Sequence, residues 1–315
     1  MWIRMNPMTA ANVTPNIPSA ELTNLRKKII NEIFLALGTS DRGLARKLTS
    51  PIFWLPANRF ARLVAEIDRV VGAEDLNAGL AALLRRFVTH IEVRGIECIP
   101  AQGPLIIASN HPGAYDGLAI MASLPRKDIK VVISEIPFVQ SLQAIPQYTI
   151  EVPANAAHRL GAVRQALRHL RQGGALLIFP SGQVDPDPDW LPGAHQGLER
   201  WSASLALWLH KTPEARLLPV ITSSVISPRW VENPLVRAQK GWKRYRLAEF
   251  FQVMEQLLFN RPYDFAPRVS FGEAWRFDSH SHSDDLQTTQ AEIIAAAQRL
   301  LAAHMLPGET LRLEV

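Results

Sequence analysis

The rhythm of apolar positions changes near residue 90. Before it, apolar residues recur at helical spacing. Leu25, Ile29, Ile33 and Leu37 fall on one face of a helix expected over 21–37, with Ser19 or Thr23 placed to cap it. Pro51 and Pro56 then bracket Phe53, Trp54 and Leu55, and the spacing after them predicts a second amphipathic helix ending near Gly72. "AEDLNAGLAALLRRFV" predicts a third. Residues 1–88 are therefore expected to form a helical extension, apolar on one side and basic overall, ahead of a domain over 89–315.

Beyond His90, short apolar runs alternate with helical segments. "HIEVRG" alternates like a strand, and "GPLIIASN" is a nearly unbroken apolar run, as in a strand covered on both faces. Further strands are expected at "DIKVVIS", "QYTIEV", "ALLIFP", "ARLLPVITSSV" and "RVSFGEAW". Helices are expected at "YDGLAIMASL", at "AAHRLGAVRQALRHLRQGG" with its glycine stop, and as one long helix over 193–212. Two more follow, at "KRYRLAEFFQVMEQLLF" and "TTQAEIIAAAQRLLAAHM". Such alternation predicts an α/β fold: a mixed, largely parallel sheet flanked by helices on both faces, with the helical N-terminal extension in front.

Composition narrows the classes. Of 315 residues, 47% are hydrophobic and 20% charged, which suits a globular chain. The lone cysteine, Cys98, excludes an intrachain disulfide and reads as a small buried apolar residue. No 18 apolar residues run together, and the first 20 residues carry no signal-like apolar stretch. Neither a transmembrane helix nor a secretory leader is expected. The net charge of +5 gathers between Arg26 and Arg94 and between Arg229 and Arg246. Basic segments of this kind meet phosphates or simply face water. Trp230, Trp242 and Tyr245 in the second segment suit either a membrane-facing surface or a core. No nucleic-acid module, dinucleotide or phosphate-loop glycine motif, or Gly-x-Ser-x-Gly elbow is present, so no nucleic-acid partner is expected. Ser109, Ser223 and Ser224 are accordingly not read as nucleophiles.

The chemistry concentrates in "PLIIASNHPGAYDG", Pro104 to Gly117. Ligands of open α/β sheets gather where strands end at their carboxyl edge, and this strand delivers His111 there. Pro112 stiffens the turn; Gly113 and Gly117 permit tight backbone. Asp116 can fold back onto one imidazole nitrogen and leave the other free to accept a proton, as a base and its orienter. The same spacing recurs at His280 and Asp285, but in a polar loop with no strand before it; no matching ligand cluster appears elsewhere, and no metal is expected.

The block "VRGIECIPAQGPLIIASNHPGAYDG" resembles the opening of the glycerolipid acyltransferase superfamily, whose lysophosphatidate and glycerol-phosphate acyltransferases carry Asn-His-x4-Asp. The superfamily's lead-in is also matched, at Gly95, Glu97, Pro100, Gly103 and Pro104. "GGALLIFPSG" is similar to its strand ending in Phe-Pro-Glu-Gly, here Phe179, Pro180, Ser181 and Gly182. Leu218, Pro219 and Val220 resemble its Val/Leu-Pro-Val core, and "VSFGEAW" its closing strand. The resemblance spans about residues 90 to 305.

It implies that His111 takes the proton of an acceptor hydroxyl, which attacks the thioester of acyl-CoA or acyl carrier protein, while Asp116 holds the imidazole. Asn110, Gly113, the turn from Phe179 to Gly182, and Pro219 would shape the substrate site. Acyl-enzyme, metal and cofactor are not implied, and the acceptor would be a glycerol-phosphate or lysophospholipid. The partners would be a membrane surface, met peripherally from its cytoplasmic face, and acyl carrier protein where that is the donor.

Two departures leave the acceptor open. Ser181 stands where the superfamily has a glutamate, with Asp185, Asp187 and Asp189 close behind as replacements or mere turn residues. The middle block, "YTIEVPAN", lacks the expected arginine, for which Arg159 and Arg164 are the nearest candidates. A lipid amine or another alcohol remains open as acceptor. So do two alternatives: a thioester or lipid hydrolase using water, and a non-catalytic lipid-binding relative.

Overall fold

In the computed structural model, which describes residues 18–36, 44–263, 265–276 and 285–315, three helices precede the sheet. They are α1 (Ser19–Ala36), α2 (Leu44–Ala73) and α3 (Leu76–Leu84). Helix α2 begins earlier than its pattern suggests and runs through both Pro51 and Pro56. An interior proline removes a backbone hydrogen bond. Packing offsets this: Ala57, Ala61 and Ala65 close on Leu25 and Ile29 of α1, and Phe53 sets its ring edge-on to Phe34 and Phe250. Asp75 caps α3 by accepting from the Ala78 N–H at 2.9 Å.

Nine strands follow: β1 (His90–Arg94), β2 (Leu105–Ser109), β3 (Ile129–Ser134), β4 (Thr149–Val152), β5 (Ala175–Ile178), β6 (Arg216–Ser223), β7 (Arg268–Phe271), β8 (Trp275–Arg276) and β9 (Leu311–Glu314). Their order is β4-β3-β5-β2-β6-β7-β1-β9, with β8 beside β6. The block from β4 to β6 is parallel, as is β7 with β1; the β6–β7, β6–β8 and β1–β9 pairs are antiparallel. The sheet is thus mixed and mostly parallel.

Between the strands lie α4 (Asp116–Ser123), α5 (Arg159–Arg171), α6 (Ala194–Glu199), α7 (Ser204–Lys211), α8 (Pro228–Val231), α9 (Pro234–Arg237), α10 (Gly241–Phe259) and α11 (Leu286–Met305). All five residues of β2 are buried. Leu105 and Ile107 join one core with α2, α3 and α4; Ile106 and Ala108 join the other with α5, α7 and α11. That is the two-sided cover its unbroken apolar run calls for. Ile67, Val71, Leu76 and Leu84 enter the first core, so α2 and α3 pack directly on the sheet.

The long helix expected over 193–212 is two helices, α6 and α7. The break has a cause: the Ser202 N–H donates to Pro180 O at 3.0 Å, and Trp201 O accepts from Gln290 Nε2 at 2.7 Å, so neither group serves a helix. "RVSFGEAW" splits into β7 and β8 at Gly272, whose N–H donates to Pro219 O. Strand β9, not anticipated from the sequence, lays Leu313 against Ile91 at the sheet edge. Asp285 caps α11 through the Gln287 and Thr288 N–H groups, while His280 lies outside the described residues. Cys98 is half-buried rather than buried, and burial with nearby Glu97 and Glu273 raises its thiol pKa. Among the described residues, no helix is long and apolar enough to cross a membrane.

Candidate active site

Because β2, β5 and β6 are parallel, their carboxyl ends meet at one edge. There the chain leaves β2 at Ser109 and enters α4 at Asp116, and the loop between has its peptide groups held by side chains from elsewhere.

Asn110 comes first. Its Nδ2 donates to Thr222 O at 2.9 Å, and its Oδ1 accepts from Thr222 N at 2.8 Å. Both ends of the amide are engaged inside the fold, so Asn110 orders the turn rather than facing a ligand. The His111 N–H donates to Asp185 Oδ2 at 3.0 Å, and the Asp185 N–H donates to His111 O at 2.7 Å. Pro112 O lies 2.8 Å from the Tyr245 hydroxyl. The Gly113 N–H donates to Asp116 Oδ2 at 3.1 Å and the Ala114 N–H to Glu249 Oε1 at 2.7 Å. A Cβ on Gly113 would stand 2.7 Å from that glutamate oxygen, too close for any side chain unless Glu249 moved.

Within this frame His111 Nδ1 lies 2.7 Å from Asp116 Oδ2. Asp116 is 2% exposed at the first turn of α4, where its Oδ1 accepts from the Gly117 N–H. The helix N-terminus favours its negative charge. The imidazole keeps 31% of its side-chain surface open, and the Phe179 ring leans on it with centroids 4.5 Å apart. Burial works against an imidazolium here, but the charge and hydrogen bond of Asp116, then Glu249 and Asp185, outweigh it and raise the His111 pKa above 6.5. With Nδ1–H turned to the carboxylate, Nε2 is left to accept a proton.

The other expected residues divide. Phe179 touches His111, and buried Pro180 holds the Ser202 N–H. Ser181 Oγ lies 2.9 Å from Asp185 Oδ2 and 2.8 Å from Gln183 O, and Gly182 takes a left-handed turn with φ 65°. Pro219 lies inside the sheet, in register with Ala108, with Gly272 against its ring, and does not reach the loop. Arg159 and Arg164 are not brought to His111. The first is tied to Pro153 O and Ala154 O beyond β4, and the second is exposed on α5. Two strands separate β4 from β2, a span of about 14 Å at ordinary strand spacing.

The aspartates after Ser181 are not solvated turn residues. Asp185 is 1% and Asp187 0% exposed. Asp187 accepts from the Asp189, Ser224 and Val225 N–H groups and lies 3.2 Å from the Tyr245 hydroxyl; burial lifts its pKa to about 6. Asp189 pairs with Arg268 at 2.6 Å. Tyr245, 2% exposed, belongs to this buried network and not to a membrane-facing surface. Trp230 is half-buried, stacked on Phe251, and the Trp242 side chain lies outside the described residues. Glu249 and Tyr245 are not read from the sequence as part of the site because they lie over 130 residues from the loop, on a helix whose pattern shows only a periodic face. Among the described residues, no three His, Cys, Asp or Glu side chains group to hold a metal.

Residues 90–210 match the family model described as Acyltransferase. The crystal structure of the 1-acyl-sn-glycerophosphate acyltransferase PlsC from Thermotoga maritima is similar at 16% identity and a TM-score of 0.43, over 92% of this chain and 98% of that one. No curated protein matches the chain in sequence. The matched segment, residues 90–210, is similar to the acyltransferase family and encloses both His111 with Asp116 and the turn from Phe179 to Gly182.

Proposed function

We propose that the protein moves a fatty acyl group from the thioester of acyl-CoA or acyl carrier protein to the hydroxyl of a glycerol-phosphate or lysophospholipid acceptor. The observation that carries this reading is the 2.7 Å contact between His111 Nδ1 and Asp116 at the carboxyl edge of β2. His111 Nε2 removes the acceptor's hydroxyl proton as the oxygen attacks the thioester carbonyl. A tetrahedral oxyanion forms and collapses, breaking the carbon–sulfur bond. The thiolate leaves and takes the proton back from the imidazolium. Asp116 balances the imidazolium charge throughout. General-base assistance of this kind is worth roughly 10² to 10⁴ in rate. The acyl group passes directly between substrates, with no acyl-enzyme and no cofactor.

The proposal includes a place of work. Leu35, Ile52, Trp54 and Leu55 on α1 and α2 are all exposed, and the Arg26 guanidinium stands 5.1 Å over the Trp54 ring. Exposed apolar side chains beside basic ones suit an anionic leaflet. The N-terminal extension would rest the α/β domain on the cytoplasmic face of a membrane, where both substrates have their apolar chains.

The test is free-thiol release from long-chain acyl-CoA, with and without lysophosphatidate, glycerol 3-phosphate and neutral lysolipids, beside His111→Ala. Release that needs one acceptor and vanishes in the variant supports acyl transfer and names the acceptor. Release without any acceptor would make the protein a hydrolase. No release from CoA or carrier-protein thioesters would leave a lipid-binding relative without turnover.

A further inference from the structure

We infer that Asp185 is a positioning residue for His111, gripping its peptide from both sides so that the imidazole stands where the acceptor proton must be taken. The inference rests on the acyl-transfer reading of the same site. His111 lies two residues past the end of β2, and Pro112 after it has no N–H to offer. The sheet ladder therefore ends before the residue that carries the chemistry. Asp185 replaces it, with a carboxylate oxygen 3.0 Å from the His111 N–H and its own N–H 2.7 Å from His111 O. Two hydrogen bonds to one residue fix the direction of its Cα–Cβ bond, and with it the root of the side chain. The contact with Asp116 then fixes the ring.

The same geometry gives Ser181 a reason. Its hydroxyl lies 2.9 Å from the Asp185 oxygen that holds the His111 N–H, and Arg200 meets the other oxygen at 3.3 Å. A carboxylate at 181 aimed the same way would set two like charges together in a buried place. Serine at 181 and aspartate at 185 form one arrangement: the position where the superfamily resemblance leads one to expect a glutamate supplies a hydroxyl to the carboxylate four residues on.

Asp185 also contributes negative charge facing His111, together with Asp116 from α4 and Glu249 from α10. Arg200 and Arg246 pair with Asp185 and Glu249, and Asp187 and Tyr245 stand behind the loop. Replacing Asp185 by asparagine removes one negative charge, and its amide can keep an oxygen on the His111 N–H and the Ser181 hydroxyl only by turning its NH2 toward the Arg200 guanidinium, while the flipped amide sets NH2 against both donors. The base should then stand off its place and hold a proton less tightly.

The experiment compares full-length wild type, Asp185→Asn and Ser181→Ala. It reads kcat and KM for acyl-CoA and acceptor against pH, and the His111 imidazole titration by NMR without substrate. Displacement by a fraction of an ångström to an ångström predicts a kcat lower by up to about 10²-fold in Asp185→Asn, with both KM values within threefold of wild type (about). The acid limb of kcat and the His111 titration should both move to lower pH. Ser181→Ala should move both in the same direction by less. Activity within twofold (about) of wild type, or a loss of activity with the His111 titration unmoved, would overturn the inference. If Asp185→Asn does not fold, Ser181→Ala decides: an unmoved titration and unmoved kcat overturn it. The NMR titration needs no turnover. Failure of acyl transfer, seen as wild type inert toward every donor, is thus distinguishable from failure of the Asp185 assignment.

Discussion

The side-chain amide of Asn110 pairs with the backbone of Thr222 as if it were one more peptide of the sheet, donating to its carbonyl at 2.9 Å and accepting from its N–H at 2.8 Å. The Asn of Asn-His-x4-Asp thereby extends the β2–β6 ladder by one rung and hands the chain over to His111. Asn110→Asp would place a carboxylate oxygen against the Thr222 carbonyl, leaving a buried acceptor without a donor. The expected loss is about 1–3 kcal/mol of stability, read from urea unfolding, with reduced turnover in whatever remains folded. An unchanged unfolding midpoint would refute the pairing.

Asp116→Asn tests the orienter. The isosteric amide has one acceptor oxygen: turned to the Gly117 N–H, it sets its NH2 against His111 Nδ1 and gives up the Gly113 N–H, so the fold should persist at the cost of that one hydrogen bond. It cannot balance an imidazolium, and it turns the imidazole toward the wrong tautomer. The expected fall in kcat is about 10²–10⁴-fold, with stability lower by no more than about 1–3 kcal/mol. Near-normal turnover would remove Asp116 from the mechanism.

His111 should also leave its mark on pH dependence. Its pKa is raised above 6.5 by carboxylates that outweigh burial, so the neutral base is lost earlier on acidification than in an ordinary histidine. The acid limb of kcat/KM should therefore lie above pH 6.5. For stability the sign is opposite to that for activity: the contribution of charged His111 is complete below its unfolded value and fades as pH rises through the raised folded one. An acid limb below pH 6 (about) would mean that the carboxylates do not act on the free enzyme's base.

His304 behaves the other way. It is 2% exposed between Ser223 Oγ at 2.8 Å and Ser270 Oγ at 2.7 Å, and burial, with Arg268 nearby, lowers its pKa to about 4. The unfolded chain binds this proton more readily than the folded one between pH 6.5 and 4. Wild type should therefore lose stability relative to His304→Gln across that window, by up to about 3 kcal/mol. Thermal unfolding of both proteins at matched pH values measures the difference, and a pH-independent gap would contradict the buried neutral imidazole.

The membrane surface can be tested by flotation with anionic and neutral vesicles. Ile52→Asp and Trp54→Ala change side chains that are 67% and 48% exposed, so they should leave the unfolding midpoint nearly unchanged and weaken association with anionic vesicles about tenfold. Wild-type binding should fall with salt. Binding that ignores salt and both substitutions would place the contact elsewhere.

Much of this architecture can be read from residues alone. The unbroken apolar run of β2 announces a strand covered on both sides, and its abrupt end at Asn110 and His111 marks the carboxyl edge of the sheet where the proposed base stands. What escapes reading depends on distant partners. The break between α6 and α7 is made by Pro180 and Gln290, and nothing local in "LERWSAS" declares it. Strand β9 exists because Leu313 finds Ile91 at an open edge. Asp185 and Asp187 sit among prolines, a composition that suits a solvated turn, and only the approach of the loop and of α10 turns them into buried acceptors. Arg159 and Arg164 are close to the block in sequence, yet the first is tied to the backbone after β4 and the second faces solvent on α5.

Four residues 74 to 135 positions downstream hold the loop from Asn110 to Ala114, and three of them, Thr222, Tyr245 and Glu249, lie beyond residue 210. A growing chain that has emerged only that far carries the whole Asn-His-x4-Asp signature and one of these four supports. The signature becomes a site late, when β6 and α10 arrive. Contacts this far apart in sequence form slowly. A fragment cut to the matched segment would keep the letters of the motif and lose three of the four distant residues that shape it.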